Sequence, residues 1–507
     1  MCTEQISPAI AMSGSISIQE ISNHNIPEDL WIVVDDNVYD LTEFAPEHPG
    51  GAAILHRYAG RDASTAYNEI HAPSLIKSSL DPSKHIGTLD ASSITDNWAK
   101  PPPSTTTSFS PDSKPPLDTL ISTHDFVSVA RKTLTPKTWA FYSSAATDLH
   151  TKARNSSSYA DIGLRPRILV NVKDVDTRTR MLGQDMAVPI FCSPAAMAKM
   201  VHPEGEKGIA RGCKNIGIPQ CISTNASFPI NEIFDSVSGD GRYGKFEGDG
   251  QLPIFFQLYV DKQREKSEKL LRDVERLGVR AIFVTVDAPV PGKREADERV
   301  KADESLSTPM SGAKAKNDAK GGALGRIMGS YIDASLSWAD IPWLRKSTNL
   351  PIVLKGVQTF MDVKRAADMG IEGVLLSNHG GRSLDTAPAP ILLLLELQKN
   401  CPEIFDKMEV FVDGGVMRGT DIFKALCLGA KSVGIGRGFL YALNYGSDGV
   451  EKYVEILKDE LETTMRMMGV TDLSQVHPGM LNTGAVDHLI PGGEEHPYAK
   501  WRPKARI

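Results

Sequence analysis

Eight short apolar runs between residues 188 and 438 constrain the fold of this 507-residue chain more than any other feature. Each run is rich in β-branched or aromatic residues, ends in polar or glycine residues, and is followed by a helix-like segment. Strands of this kind, alternating with helices, form a parallel sheet that is covered on its outside, and eight strands close a barrel. An open, doubly wound sheet is the alternative, but it gives no reason for eight strands. We therefore predict an α/β fold, a (βα)8 TIM barrel. The runs are VPIFCSP, IPQCIST, PIFFQLYV, AIFVTVDA, PIVLKG, GVLLSNHGG, VFVDGG and SVGIGRG.

Polar and ionisable residues mark the C-terminal ends of these runs, where barrels of this type carry their chemistry. They are Ser193, Ser223, Thr224, Gln257, Tyr259, Thr285, Asp287, Lys355, Asn378, His379, Asp413 and Arg437. A role in stability alone would not place such a residue at the end of every strand, so we predict the active site there. A charged, glycine-rich insertion over 293–325 is predicted to be a loop above the barrel mouth, either a lid or a disordered segment.

A segment rich in proline, serine and threonine divides the chain. Apolar periodicity disappears there, which is typical of a semi-extended linker, and we place that linker at 93–118. The division predicts a small N-terminal domain over 16–92, the barrel over 119–480, and a C-terminal tail over 481–507.

The motif HPGG, which begins at His48, has two interpretations. Pro49, Gly50 and Gly51 can simply make a turn, or a rigid turn can present the imidazole to a metal. A second histidine, His71, follows 23 residues later, and the segments between them have helical apolar spacing. Two short helices could therefore carry these histidines to opposite faces of a pocket. A lone histidine is more often a surface or packing residue, so the pair carries the metal hypothesis.

Residues 16–90 resemble the cytochrome b5 family through HPGG, the second histidine and the preceding LWIVVDDNVYDLTEF. The resemblance implies a small α+β domain in which His48 and His71 are the two axial ligands of haem b. Such a haem has no open coordination position, so it transfers electrons and does not bind substrate.

Residues near the strand ends combine a base, a carboxylate and fixed cations. SNHGGRSLD places His379 and Arg382 three apart after a strand, so a proton acceptor and a cation face the same small volume. Asp287 could orient that imidazole and stabilise its charged form. Lys355 would place a positive charge beneath a cofactor ring that becomes anionic on reduction. DGG and GRG end the last two strands, where barrels build a phosphate site.

From about residue 120 to 480 the chain resembles the FMN-dependent α-hydroxy acid dehydrogenase and oxidase family. The matching motifs are FFQLYV, VTVDAP, KRE, VLKGV, SNHGGR, DGGVMRGTD and GIGR. The resemblance implies oxidation of a lactate-like L-2-hydroxy acid to the 2-oxo acid. Two electrons pass to FMN, then singly through haem b to an acceptor such as cytochrome c.

The resemblance also implies individual roles: His379 is the catalytic base, Asp287 its partner, Arg382 the carboxylate anchor, and Tyr259 a hydroxyl near the substrate oxygen. The implied substrate-binding residues are Tyr259, Arg294, Arg382, Phe141 and Asn225. The implied FMN-binding residues are Ser193, Ala195, Ala196, Ser223, Gln257, Thr285, Lys355, Asp413, Gly414, Gly415, Arg418, Gly436 and Arg437.

Three positions depart from the family pattern. Phe141 stands where a carboxylate-binding tyrosine is usual, which predicts weaker substrate binding or altered communication with the haem domain. Met417 replaces the first of two expected arginines, which predicts weaker flavin binding. Asn225 is polar where the lactate enzymes carry an apolar residue, which allows a larger or more polar substrate.

Two other functions compete with this one. A peroxide-forming 2-hydroxy acid oxidase is the first, but it has no need of a fused haem domain. A non-catalytic haem electron shuttle is the second, and the retained His379, Arg382, Asp287, Tyr259 and Lys355 argue against it.

Charge and sequence ends bear on partners and location. A formal charge of −7 gives no reason to expect nucleic acid, and no apolar run approaches the roughly 20 residues that span a bilayer. The resemblance implies a homo-oligomer, a tetramer in that family.

We predict a cytoplasmic protein, with the peroxisome as the alternative because the chain ends in Ala-Arg-Ile. The mitochondrial intermembrane space is disfavoured because no transit peptide is recognisable at the N-terminus.

Overall fold

The computed structural model describes residues 15–48, 52–95, 98, 114–238, 252–319 and 321–493. The chain divides into two compact units. The first contains the described residues below 111 together with Glu298–Ala302 and Asn317–Gly322, and the second contains the remainder. The finer boundaries of the linker and the tail stay predictions.

The first unit is a small α+β fold built on one six-stranded sheet. Its strands are β1 (Ser15–Ile16), β2 (Asn25–Ile26), β3 (Asp29–Val34), β4 (Asn37–Asp40), β5 (Arg61–Asp62) and β6 (His85–Leu89). The order is β1-β6-β4-β3-β2, and β5 pairs with β3. Its helices are α1 (Ile18–Ile21), α2 (Ala52–Arg57), α3 (Ser64–Asn68) and α4 (Leu75–Ser79).

A tight hairpin between β3 and β4 sets the register of this sheet. Asp35 and Asp36 have φ values of 48° and 63°, the left-handed pair that a two-residue turn requires. Alternate side chains of β3 then face opposite sides: Ile32 joins the larger apolar cluster, and Val33 packs with the other. The sheet therefore buries apolar side chains on both faces.

The second unit contains a closed barrel of eight parallel strands. The strands are β10 (Ile190–Cys192), β11 (Gln220–Ser223), β12 (Ile254–Leu258), β13 (Ile282–Thr285), β14 (Ile352–Val357), β15 (Gly373–Leu376), β16 (Glu409–Asp413) and β17 (Ser432–Ile435). Each of the eight coincides with a predicted run, and only Val357 of β14 and Glu409 of β16 fall outside the runs. The predicted barrel is therefore confirmed, and the open-sheet alternative is wrong.

Aromatic rings fill the barrel interior near the beginnings of its strands. Phe191, Phe255, Phe283 and Phe411 are fully buried, and neighbouring ring centroids lie 5.5 to 6.2 Å apart. Met181 and Met186 belong to the same cluster; they come from the hairpin of β8 (Thr179–Met181) and β9 (Gln184–Met186). Because these side chains fill one end of the barrel, a ligand cavity is left for the other end.

The described residues between 123 and 468 also form helices, and several of these pack against the barrel strands. The helices are α5 (Thr123–Thr133), α6 (Pro136–Ser143), α7 (His150–Ala160), α8 (Gly205–Ile216), α9 (Ile230–Asp235), α10 (Arg264–Arg276), α11 (Glu295–Arg299), α12 (Leu324–Met328), α13 (Ile341–Ser347), α14 (Phe360–Asp368), α15 (Pro390–Asn400), α16 (Ile404–Lys407), α17 (Gly419–Cys427), α18 (Arg437–Leu443) and α19 (Gly446–Met468). The small strands β7 (Gly163–Leu164) and β18 (Leu481–Asn482) pair with each other.

The insertion over 293–325 is described except for residue 320 and contains the five-residue α11. Its predicted role as a lid stays a prediction. Within the described ranges, none of the helices is long and apolar enough to cross a membrane.

Candidate functional site

The C-terminal ends of the barrel strands surround a cavity of about 450 Å³. This volume lies in the range of small-molecule sites, about 300 to 1,000 Å³. Most of the predicted site residues line it: Phe141, Ser193, Ala195, Ala196, Ser223, Asn225, Gln257, Tyr259, Thr285, Arg294, Lys355, His379, Arg382, Asp413, Gly414, Gly415, Gly436 and Arg437. Residues from all eight strand ends and from α6 are thus brought together at one place.

His379 lies between a carboxylate and a phenol. Its Nδ1 is 2.9 Å from Oδ1 of Asp287, and its Nε2 is 3.4 Å from the hydroxyl of Tyr259. The Asp287 side chain is fully buried, whereas that of His379 keeps a quarter of its surface exposed. When Nδ1 carries the proton and its N–H donates a hydrogen bond to the carboxylate, the lone pair of Nε2 faces the cavity. This is the arrangement of a general base.

A left-handed turn presents this imidazole to the cavity. His379, Gly380 and Gly381 have φ values of 60°, 65° and 76°. Asn378 stabilises the turn, because its Oδ1 accepts the Gly381 N–H at 2.9 Å and its amide pairs reciprocally with Asn155 at 2.7 and 2.8 Å. The two glycines of the motif therefore serve a backbone conformation that most residues adopt only with strain.

Burial and neighbouring charges together keep the base neutral and its partner ionised. Burial lowers the pKa of His379, and Lys355 lowers it further against the opposing effect of Asp287. Burial alone would raise the pKa of Asp287, but Lys355 and His379 hold it below its usual value. Burial would lower the pKa of Lys355, but Asp287 and Asp413 raise it. At neutral pH the site thus combines a neutral imidazole and an ammonium group that line the cavity with the ionised carboxylate of Asp287 bonded to the imidazole.

Gly356, which follows Lys355 on β14, is a site residue that was not predicted from the sequence. Its φ is 106°, and a Cβ at this position would collide with the side chain of Asp287. The absence of a side chain here lets the carboxylate approach the strand closely enough to reach His379. An isolated glycine inside a strand is a sequence signal for such a close approach.

A chain of polar side chains crosses the cavity wall. The Ser223 hydroxyl donates to Oε1 of Gln257 at 2.9 Å, and Nε2 of Gln257 donates to the Thr285 hydroxyl at 2.9 Å. On the neighbouring side, the Ser193 hydroxyl donates to Asp413 at 3.3 Å. These bonds fix the orientation of each group, so the wall offers a planar ligand a rigid set of donors and acceptors.

Backbone carbonyls at the end of α6 hold two arginines. Nη1 of Arg382 donates to carbonyl oxygens in residues 141–144 at 2.7, 3.1 and 3.1 Å. Arg437 donates to two carbonyls of the same segment at 3.0 and 3.1 Å, and to that of Gly380 at 2.7 Å. Both guanidinium groups are therefore fixed before any ligand binds.

Phe141 lies beneath two of the cavity cations. The Cζ atoms of Arg382 and Arg294 lie 5.2 and 5.7 Å from the centroid of its ring, within the range of cation–π contact. The next residue, Tyr142, directs its hydroxyl to the carbonyls of residues 196–197 at 2.9 and 2.7 Å. Tyr142 therefore does not supply the hydroxyl that is missing at Phe141.

Arg418 is not brought to the cavity with the other predicted FMN-binding residues. Its Nη1 pairs with Glu460 at 2.7 Å, and its side chain is 42 % exposed. Met417, the preceding residue, lines the cavity instead. Successive side chains after a strand end point in different directions, so the sequence alone did not show which of Met417 and Arg418 faces the cavity. We leave Arg418 out of the proposed FMN site.

Two further observations concern the lining of the cavity. Asn225 accepts a hydrogen bond from the Tyr331 hydroxyl at 3.2 Å. Lys152 and Asn155 of α7 also line the cavity, and neither was predicted. They lie on a helix outside the barrel strands, where neither apolar periodicity nor a motif marks them.

His48 and His71 face each other in the first unit. Their ring centroids are 6.0 Å apart, and the ring planes cross at 72°. Two metal–nitrogen bonds of about 2 Å to a shared ion, each extended by the distance from the bonded nitrogen to its ring centroid, give about this separation. Phe44 lies 5.8 Å from the His48 ring and Tyr67 5.0 Å from the His71 ring.

Burial and the nearby His48 lower the pKa of His71, which favours the neutral form that binds metal. The pair therefore fits the two axial positions of a haem. Pro49, Gly50 and Gly51 lie outside the described residues.

Comparison with known proteins gives two family matches. Residues 130–483 match the FMN-dependent dehydrogenase family, and residues 17–90 match the cytochrome b5-like heme/steroid binding domain. The chain is 44 % identical over 483 residues to the L-lactate dehydrogenase (cytochrome) of Saccharomyces cerevisiae, covering 92 % of this chain and 79 % of that protein. It is 37 % identical over 366 residues to the glycolate oxidase of Spinacia oleracea, covering 70 % and 94 %.

Among solved structures, the flavin-binding domain of baker's yeast flavocytochrome b2 superposes with a TM-score of 0.65 at 44 % identity. The alignment covers 76 % of this chain and 92 % of that one. The chain therefore belongs to the FMN-dependent dehydrogenase family and carries a cytochrome b5-like domain ahead of its barrel.

Proposed function

We propose that this protein oxidises a lactate-like L-2-hydroxy acid to the 2-oxo acid and delivers the electrons singly to a protein such as cytochrome c. One observation carries the proposal: a neutral His379, bonded to the buried carboxylate of Asp287, shares a cavity with Tyr259 and Arg382. Bound FMN supplies the two-electron acceptor in this scheme, and haem b supplies the one-electron carrier.

The proposed catalytic steps follow from the positions of the side chains. Arg382, with Arg294 beside it, binds the substrate carboxylate, and the Tyr259 hydroxyl contacts the substrate oxygen. Nε2 of His379 then removes a proton from the substrate. Asp287 stabilises the resulting imidazolium through the Nδ1–H bond of 2.9 Å. Phe141 and Asn225 complete the substrate side of the cavity.

The remaining cavity residues fit FMN. Gln257, Ser223 and Thr285 form the ordered polar wall that suits the edge of an isoalloxazine ring, with Ala195 and Ala196 beside it. Lys355 is 4 % exposed, and its charge would stabilise the anionic form that the ring takes on reduction. Ser193 and Asp413 suit the ribityl hydroxyls. Gly414, Gly415, Gly436 and Arg437 suit the phosphate.

An anaerobic visible spectrum before and after addition of L-lactate tests this function. We expect the flavin absorbance to bleach and the bands of a reduced bis-histidine haem to appear, whereas D-lactate gives no change. Cytochrome c then reoxidises the haem. Flavin bleaching followed by peroxide formation from oxygen, with an oxidised haem, would support the oxidase instead. A silent flavin with L-lactate and with larger L-2-hydroxy acids would refute the enzyme and leave the electron shuttle.

Location and assembly belong to the same proposal. We propose a cytoplasmic homo-oligomer, with the peroxisome as the alternative location. Imaging of an N-terminally tagged chain, with and without residues 505–507, tests the location. These three residues lie outside the described ranges. Sedimentation of the purified chain tests the assembly, and a monomer at micromolar concentration would contradict it.

A further inference from the structure

Lys152 is a cation of the active cavity that the proposed mechanism does not use. Its side chain is half-buried and lines the cavity, and its Nζ donates to the Ser143 carbonyl oxygen at 2.6 Å. Burial lowers its pKa to about 8, and the charges of Arg437 and Arg382 contribute to this shift. Three positive charges thus lie near one another at this end of the cavity.

The position of α7 directs Lys152 toward the glycine-rich strand ends. Asn155, three residues later on the same face of α7, contacts Gly414 and Gly415 of the DGG motif. The Lys152 backbone itself lies against Gly381, because a Cβ on Gly381 would stand 2.8 Å from the Lys152 nitrogen. The lysine therefore lies between the catalytic turn and the end of β16.

Arg437 lies on the same wall. Its guanidinium donates to the carbonyl oxygen of Ser144, which follows Ser143, the hydrogen-bond partner of Lys152. It also lies 3.5 Å from the position that a Cβ would occupy on Gly380. Of the described residues that line the cavity, Asp413 is the one carboxylate, and it interacts with both Lys355 and Arg437. One carboxylate cannot balance the three positive charges of Lys152, Lys355 and Arg437, which favours an anionic ligand there.

We propose that Lys152 binds the phosphate of FMN together with Arg437. This inference rests on the proposed function, because it takes FMN as the ligand of the cavity. Arg418 pairs with Glu460 away from the cavity, and the neighbouring Met417 carries no charge. Lys152, on α7, thus supplies a second cation for the phosphate beside Arg437. Neither Met417 nor Arg418, which follow β16, places a cation in the cavity.

Flavin titrations of the FMN-free full-length chain test the assignment without turnover. FMN and riboflavin, which lacks the phosphate, are compared by the change in flavin fluorescence. Lys152→Met is expected to weaken FMN binding about ten- to a hundredfold, since it removes a charge-assisted contact, and to leave riboflavin binding unchanged. Lys152→Arg is expected to keep FMN binding near that of the wild type.

The pH dependence and a second substitution sharpen the test. In the free wild-type chain, Lys152 loses its proton as the pH rises through about 8, so its FMN affinity should fall above that pH. The affinity of Lys152→Met should not fall in that range. Adding Met417→Arg to Lys152→Met should restore part of the FMN affinity.

An equal loss for FMN and riboflavin would overturn the proposal and make Lys152 a structural cap on the end of α6. Unchanged FMN affinity in Lys152→Met would overturn it as well. If the wild-type chain binds neither flavin, the proposed function itself fails, and that outcome is distinct from both. Far-ultraviolet circular dichroism of each variant confirms that differences in binding do not arise from unfolding.

Discussion

The two units place their reactive residues in opposite electrostatic settings. In the first unit, His48 and His71 lie beside the aromatic rings of Phe44 and Tyr67 and next to an apolar cluster. In the second unit, the cavity is lined by five cations, Lys152, Arg294, Lys355, Arg382 and Arg437. Backbone carbonyls and carboxylates hold several of these charges in fixed positions.

This difference matches the chemistry proposed for each unit. A group that only gains or loses an electron needs two ligands and protection from solvent. A reaction that moves protons and an anionic substrate needs charges that are oriented in advance. We therefore expect substitution of His48 or His71 to abolish one electron-transfer step, and substitutions in the barrel to give graded effects according to how directly each group touches the substrate.

His379→Asn gives the largest expected effect on flavin reduction. Asparagine tolerates the positive φ of this position, so the turn should persist while the base is lost. We expect flavin reduction by L-lactate to slow by about 10² to 10⁴-fold. Rapid-mixing absorbance measures it, with the exposed His488→Asn as control. Flavin reduction at the wild-type rate would remove His379 from the mechanism.

His71→Ala should abolish electron delivery to cytochrome c and leave flavin reduction intact. One axial ligand is lost, so the bis-histidine haem spectrum disappears, but the barrel cavity is untouched. The two half-reactions are followed separately by flavin absorbance and by cytochrome c reduction. His56→Ala, an exposed change on α2, is the control. Persistent bis-histidine bands in His71→Ala would contradict the ligand assignment.

Asp287→Asn should lower the rate by about 10²-fold and move its pH dependence. The pKa of His379 lies below the ordinary value of 6.5, and the neutral imidazole is the active form. Activity should thus rise through this pKa as the pH increases. Asp287 raises that pKa, so its loss moves the acid limb of kcat/KM to still lower pH. Asp273→Asn serves as control, and an acid limb that moves upward would refute this electrostatic role.

Phe141→Tyr gives the smallest expected effect, and it is a gain. The new hydroxyl would lie beside Arg294 and Arg382 and could bond to the substrate carboxylate. A bond worth about 1.5 kcal/mol would lower the KM for L-lactate about tenfold. Tyr142→Phe is the matched control, because its hydroxyl bonds to backbone carbonyls and its loss should change stability more than KM. An unchanged KM in Phe141→Tyr would place this position outside substrate contact.

The sequence predicted the barrel because its strands are buried on both faces and therefore appear as continuous apolar runs. The cavity residues on those strands followed from their positions at the strand ends. Lys152 and Asn155 were missed because α7 reaches the cavity through tertiary packing, which no local pattern reports. The pairing of Arg418 with Glu460 could not be predicted, because the two residues lie 42 positions apart and no local pattern reports the contact.

The short strands of the first unit bear on its behaviour in concentrated solution. β2 and β5, each of two residues, cover successive parts of β3, and β1 covers the end of β6. Within the described ranges, the sheet thus ends in strands too short to template pairing with another chain. The closed barrel has no edge at all. Resistance to strand-mediated aggregation is therefore built into both units, by short borders in one and by closure in the other.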